Sequence, residues 1–216
     1  MSKLDQVYTE VRSMIVSGEL PPGAPIDKAV IAQRIGASRQ PIAAAIDRLS
    51  FEGLVEVVPQ HGSFVAKLNR ATLSDWFMVR AAMEVEFVTR FVEAGETAPM
   101  IELERNVRYQ KAAAEAGDMA GFYELDIGFH QIITRFTPCI EGHAILERAQ
   151  ANLGRVRQFL LPQSGRMSVT LAEHQAIFDA ARTGVPAQAA AAIRAHIHSV
   201  ERHLQAVLAS HPELAA

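Results

Sequence analysis

A single cysteine, Cys139, leaves this chain without any possible internal disulfide, and nothing in its cysteine usage argues for an oxidising compartment. Long apolar runs are missing too. Even the alanine-rich stretch around Ala189 is bounded by Gln188 and Arg194, well short of the roughly 20 residues a membrane span needs. The opening Met1-Ser2-Lys3-Leu4-Asp5 enters an amphipathic pattern with no apolar h-region or cleavage site, so a cytoplasmic location is expected. Excess positive charge is likewise absent: Lys and Arg number 21 against 24 Asp and Glu, a net charge of -3. That argues against a chain built mainly to coat nucleic acid, although a basic docking face can be masked by an acidic second domain. What remains is an ordinary globular composition, 49% hydrophobic and 21% charged, which excludes wholesale disorder. At 216 residues, two small domains fit better than one large one.

The first 66 residues carry three helical signals and then a change of period. Leu4, Val7, Tyr8, Val11 and Ile15 recur at helical spacing until Gly18 and Pro21-Pro22-Gly23. Asp27 can cap a second helix that runs through Ile31 and Ile35 to Gly36. Ser38 can cap a third, with Pro41 in its first turn and Ile42, Ala45, Ile46 and Leu49 as its buried stripe. After Gly53 two strand-like runs, 54–58 and 63–66, flank a turn at Pro59-Gln60-His61-Gly62. Three helices and a hairpin outline a winged helix-turn-helix, in which the tight Gly36-Ala37-Ser38 connection sets the angle of the helix that enters the major groove.

Three segments, Gly18-Glu19-Leu20-Pro21-Pro22-Gly23, Ile35-Gly36-Ala37-Ser38-Arg39-Gln40-Pro41-Ile42 and Leu49-Ser50-Phe51-Glu52-Gly53-Leu54-Val55, resemble in order the DNA-binding domain of the GntR family. The resemblance spans residues 5–66 and implies that Ser38, Arg39 and Gln40 face DNA, with His61 and Gly62 at the wing tip reaching toward the minor groove. Physical chemistry agrees, since a helix N-terminus attracts phosphate and arginine can grip a guanine edge. One departure is Ala43-Ala44, where the family usually has Arg-Glu, so one contact is missing. Arg48, with Arg34 and Lys28, is the candidate replacement.

A linker is expected over 67–74, followed by a helical domain over 75–212. Thr72 and Asp75 resemble a capping pair. Leu73, Trp76, Phe77, Arg80, Met83, Glu84, Phe87 and Phe91 share helical spacing as far as Gly95. Pro99, Gly117-Asp118, Pro138, Pro162, Gly184 and Pro186 then separate helix-length segments, so the fold class is mainly α, with an antiparallel bundle of six to seven helices. Asp126 and His130, four apart, share one helix face, and His174 and His196 lie on later helices. Three imidazoles and a carboxylate suit zinc best, with nickel, manganese or iron as alternatives. Spacing alone does not choose His196 over His198 or His203. The Met and Phe stripes read as core packing.

The stretches Asp126-Ile127-Gly128-Phe129-His130, Glu173-His174-Gln175-Ala176-Ile177 and Ala192-Ile193-Arg194-Ala195-His196-Ile197 are similar to the FCD sensor domain of the FadR subfamily, over approximately 72–210. That resemblance implies a metal held by Asp126, His130, His174 and His196, and a helical cavity for an effector. Arg80, in an otherwise apolar stripe, is expected either to bind an effector carboxylate or to pair with Glu84. Asn152 and Arg157 are further pocket candidates. The combined expectation is a homodimeric repressor of a metabolic operon, reading a palindromic operator on double-stranded DNA and responding to a small organic acid. The alternative is a metal-dependent hydrolase fused to a DNA-binding module, although no HExxH motif is present.

Overall fold

The computed structural model describes residues 2–160 and 165–210, the side chains of 156–160 excepted. Helix α1 (Lys3–Val16) opens on a capping box between Ser2 and Asp5 and buries Val7, Val11, Met14 and Ile15. Asp27 caps α2 (Lys28–Ile35) by accepting from the N–H groups of Ala29 and Val30. That helix stops at Gly36, whose φ of 61° is one that residues with a Cβ rarely adopt. Helix α3 (Arg39–Phe51) follows the expected stripe, burying Ile42, Ala45, Ile46 and Leu49. Strands β1 (Val55–Val58) and β2 (Gly62–Val65) pair antiparallel, Val55 opposite Val65 and Val58 opposite Gly62. The connection is closed by the His61 N–H donating to the Val58 carbonyl, with Gln60 at φ 64°.

The boundary differs from the expected linker. Leu68 is already buried in the core of the second domain. Asn69, not Thr72, caps the next helix, its side chain accepting from the Thr72 N–H, so α4 runs Arg70–Ala94 and takes in five of the eight residues of the 67–74 stretch. Asn is a strong N-cap residue, and Arg70 is further held by donating to the Leu208 carbonyl at 2.7 Å.

The second domain contains α4, α5 (Thr97–Ala116), α6 (Met119–Arg135), α7 (Ile140–Leu160), α8 (Arg166–Arg182) and α9 (Pro186–Ser210). Six helices among the described residues agree with the expected bundle. Pro99 and Pro186 open helices rather than end them, because the first turn needs no N–H from proline. Helix α4 lies along α9 and α7, and α5 packs on α6 and α8. Phe77, Val88, Leu103, Phe129, Ile133, Ile177, Ile193, Ile197 and Leu204 fill the core between them. Among the described residues no helix is long and apolar enough to cross a membrane.

Helix α7 belongs to both halves. Its Ala151 is buried in the core of the N-terminal domain, whereas Leu153 is buried in that of the bundle. Polar side chains reinforce the junction: Arg148 donates to the Phe51 carbonyl at 2.8 Å, Asn152 to the Glu52 carbonyl at 3.2 Å, and Arg155 to the Ala66 carbonyl. Carbonyls at the end of α3 have no partner within the helix and carry its negative dipole end, so a guanidinium is a favourable cap there.

Candidate metal centre and DNA-reading face

Three histidines from three helices converge in the middle of the bundle. His130 comes from α6, His174 from α8 and His196 from α9. Each is at most 2% exposed, and one ring nitrogen from each lies within 4.8 Å of the others. Asp126, one turn before His130, places Oδ1 at 3.5 Å from His174 Nε2. On the last helix His196 is buried, whereas His198, on another face, and His203, two turns further along the same face, are exposed.

Hydrogen bonds around the rings decide which nitrogen faces in. The Glu173 carboxylate can only accept, so His196 Nδ1, 2.9 Å away, carries the proton and Nε2 bears the lone pair. Gln110 donates its amide to Asn106 Oδ1 at 2.7 Å, which turns its oxygen toward His174 Nδ1 at 2.8 Å. His174 is also stacked on Phe129, with centroids 4.1 Å apart. The Nε2 atoms of His174 and His196 are therefore bare, buried acceptors with no hydrogen-bond partner among the described residues. A buried acceptor without a partner is costly.

His130 is arranged differently. Arg80 donates from Nε to Glu84 Oε1 at 2.7 Å and from Nη2 to His130 Nε2 at 2.9 Å, and His130 Nδ1 lies 2.8 Å from Glu84 Oε2. Burial would raise the Glu84 carboxyl, but Arg80 and His130 outweigh it and hold it well below the ordinary carboxylate range. Burial, reinforced by neighbouring positive charge, pushes His174 and His196 well below the usual imidazole value, so both stay neutral and fit to donate a lone pair.

The donor set fits a divalent cation: three imidazole nitrogens and one carboxylate oxygen, with outer partners orienting the rings as metal sites require. Of those outer partners Gln110 and Asn106 escaped the sequence reading, whereas Arg80 does pair with Glu84, one of the two roles expected of it. Gln110 did leave a signal, being a polar residue in phase with the buried Leu103 and Val107 of α5. Arg166 left none. It is buried at the start of α8, 3.4 Å from Glu173, and burial lowers its proton affinity.

Asn152 does not join this cluster. Its amide is spent on the Glu52 and Arg148 carbonyls at the junction of the two domains, because the face of α7 that carries it turns toward α3. Arg157 lies on α7 with its side chain outside the described part of the structure.

On the N-terminal domain, Ser38, Arg39 and Gln40 are exposed together at the start of α3, and the Ser38 hydroxyl makes no capping bond to the helix. His61 and Gly62 are exposed at the hairpin tip. Arg48 is on a different side. Its guanidinium lies 3.7 Å over the Tyr8 ring and 3.4 Å from Glu52, beside a cleft of about 820 Å³ between the domains. Arg34 is engaged by Glu10 and Glu19. Two of the three residues expected to replace the missing contact at Ala43-Ala44 are thus committed elsewhere, and Lys28 remains exposed.

Residues 3–65 match the family of bacterial regulatory proteins called gntR, and residues 75–199 match the FCD domain. The chain belongs to the GntR family. It is 30% identical over 175 residues to the HTH-type transcriptional repressor RspR of Escherichia coli K12, covering 81% of this chain and 77% of that protein. It is also 31% identical over 210 residues to an HTH-type transcriptional regulator from an unstable DNA locus of Streptomyces ambofaciens, covering 97% and 88%. Among solved structures, a GntR transcriptional regulator from Rhodococcus sp. RHA1 superposes with a TM-score of 0.80 at 21% identity, over 95% of this chain and 99% of that one. This GntR protein is therefore a transcription regulator rather than an enzyme, and the hydrolase alternative falls.

Proposed function

We propose that this GntR regulator represses a metabolic operon from a palindromic site bound as a homodimer, and that a small carboxylate at the histidine cluster controls it. The observation that carries the sensor half is the pair of buried Nε2 atoms on His174 and His196 with no hydrogen-bond partner among the described residues, in a cluster with His130 whose ring nitrogens lie within 4.8 Å of one another. Asp126, His130, His174 and His196 would hold the ion, zinc being favoured over nickel, manganese or iron by the nitrogen-rich donor set. A bound ion would supply a Lewis-acidic position for one carboxylate oxygen. Arg80 and the buried Arg166 supply the complementary positive charge from the protein.

The DNA half rests on the exposed first turn of α3. Ser38, Arg39 and Gln40 present hydroxyl, guanidinium and amide groups at a helix N-terminus, with His61 and Gly62 for the neighbouring groove. Residues 1–66 then act as the reading unit and residues from about 75 onward as the sensor. Helix α7 transmits between them, gripping the end of α3 while packed in the bundle core. The repressor direction follows the similarity to the transcriptional repressor RspR, and the place of action is the cytoplasm, where the operon is.

The test uses the full-length protein. His174→Ala should lose bound zinc by elemental analysis and lower the melting temperature in zinc, while leaving binding to a duplex from its own promoter region measurable. Equal zinc content in wild type and variant removes the metal reading. Failure of the wild type to bind that duplex at low salt removes the DNA reading.

A further inference from the structure

We infer that Arg80 gates the metal site: its guanidinium holds the His130 lone pair that a divalent cation would use, and a carboxylate that draws the guanidinium away makes cation and carboxylate bind cooperatively. This rests on the reading of the histidine cluster as a metal centre.

The argument begins with hydrogen-bond chemistry. Arginine has donors only and does not lose its proton in proteins, so the 2.9 Å contact can only be Nη2–H donating to His130 Nε2. A neutral imidazole has one in-plane lone pair, the one it would give to a metal, and here it points at Arg80. The other ring nitrogen offers no substitute, because it lies 2.8 Å from Glu84 Oε2 and is the protonated one. His174 and His196 carry no such competitor on Nε2.

The gate needs little movement. The guanidinium moves as one rigid plane, so tilting it about its 2.7 Å bond from Nε to Glu84 carries Nη2 off His130, and its planar fork matches the planar pair of oxygens in an incoming carboxylate. Whatever free energy the carboxylate contributes to cation binding, the cation returns to carboxylate binding by linkage. The gate also lies on α4, the first helix after the wing, capped at Asn69 only four residues beyond the end of β2 at Val65. Its displacement is therefore felt on the helix that continues directly from the DNA-binding domain.

The test measures zinc affinity of chelator-stripped, full-length protein by competition with a chromophoric chelator. Wild type, Arg80→Met and Arg80→Lys are compared with and without acetate, with chloride balancing ionic strength. Wild type should bind zinc more tightly in acetate, even though acetate's own weak hold on zinc opposes that gain. Arg80→Lys keeps a counter-charge for Glu84 but cannot span both Glu84 and His130. It should bind zinc at least tenfold more tightly than wild type without acetate, and show a smaller acetate gain. Tighter binding in Arg80→Met alone would mean simple charge repulsion and overturn the gate, as would equal affinity in all three. If Arg80→Met does not fold by circular dichroism, Arg80→Lys decides the matter. Absence of zinc binding in every variant overturns the metal reading itself, leaving Arg80 as a structural partner of Glu84.

Discussion

Replacing Glu84 with Gln takes one charge from a buried triangle and removes the ion-pair partner of Arg80. Arg80 is 1% exposed and Glu84 fully buried, so water cannot screen the change. Removing one partner of a buried ion pair costs about 3–5 kcal/mol, because the remaining charge is stranded at low dielectric. For a chain of this size each kcal/mol moves the melting temperature by about 2–4 °C, so a fall of about 6–20 °C is expected. The assay is convenient: Trp76, the single tryptophan, sits on α4 one turn before Arg80, and its fluorescence reports unfolding of the helix in question. Urea and thermal melts are run with chelator present, so that metal occupancy does not confuse the comparison. Adding Arg80→Met to Glu84→Gln should recover more than half of the loss, since the stranded charge is gone. A Glu84→Gln shift below about 2 °C would refute the claim that this pair is desolvated and mutually dependent.

Other outcomes are equally definite. In the metal-free protein His174 and His196 have folded-state proton affinities well below their unfolded value of 6.5. The unfolded chain takes up protons the folded one refuses, so stability present above pH 6.5 should fall as pH drops below it, approaching about 2.7 kcal/mol per pH unit for two groups. Chemical denaturation at a series of pH values checks this, and a flat profile between pH 6.5 and 5 contradicts it. Arg39→Ala should weaken operator binding by about 1–3 kcal/mol, whereas Arg48→Ala, whose guanidinium rests on Tyr8 and Glu52, should leave the salt dependence of binding unchanged. Fluorescence anisotropy across a salt series separates the two, and equal slopes lost in both would place Arg48 on the DNA after all. Asn152→Ala removes a buried amide from the end of α3 and should cost about 1–2 kcal/mol in stability without changing zinc content. A loss of zinc there would return Asn152 to the pocket.

Much of this was legible without coordinates, and for local reasons. Asp27 before α2, Gly36 after it and the stripe from Ile42 to Leu49 are short-range signals, because caps and helical faces depend on residues within one or two turns. The order of strong turn residues delimited the bundle in the same way. Boundaries were less secure where two caps competed: Thr72 resembled the start of α4, but Asn69 holds it.

Tertiary structure alone decided the partnerships. Spacing alone does not separate His196 from His203, and only the resemblance of the Ala192–Ile197 stretch favours the former; the packed helices bury His196 and leave His203, two turns on, exposed. Gln110 lies 64 residues from His174, and Arg148, Asn152 and Arg155 lie about 90–100 residues from the carbonyls they hold. Hydrogen bonds between such groups depend on angles and distances that the packing of whole helices sets. Chain order therefore determined which elements form and which side chains could serve a site, and packing determined which nitrogen of each imidazole faces its neighbours and that Arg80 already occupies one of them.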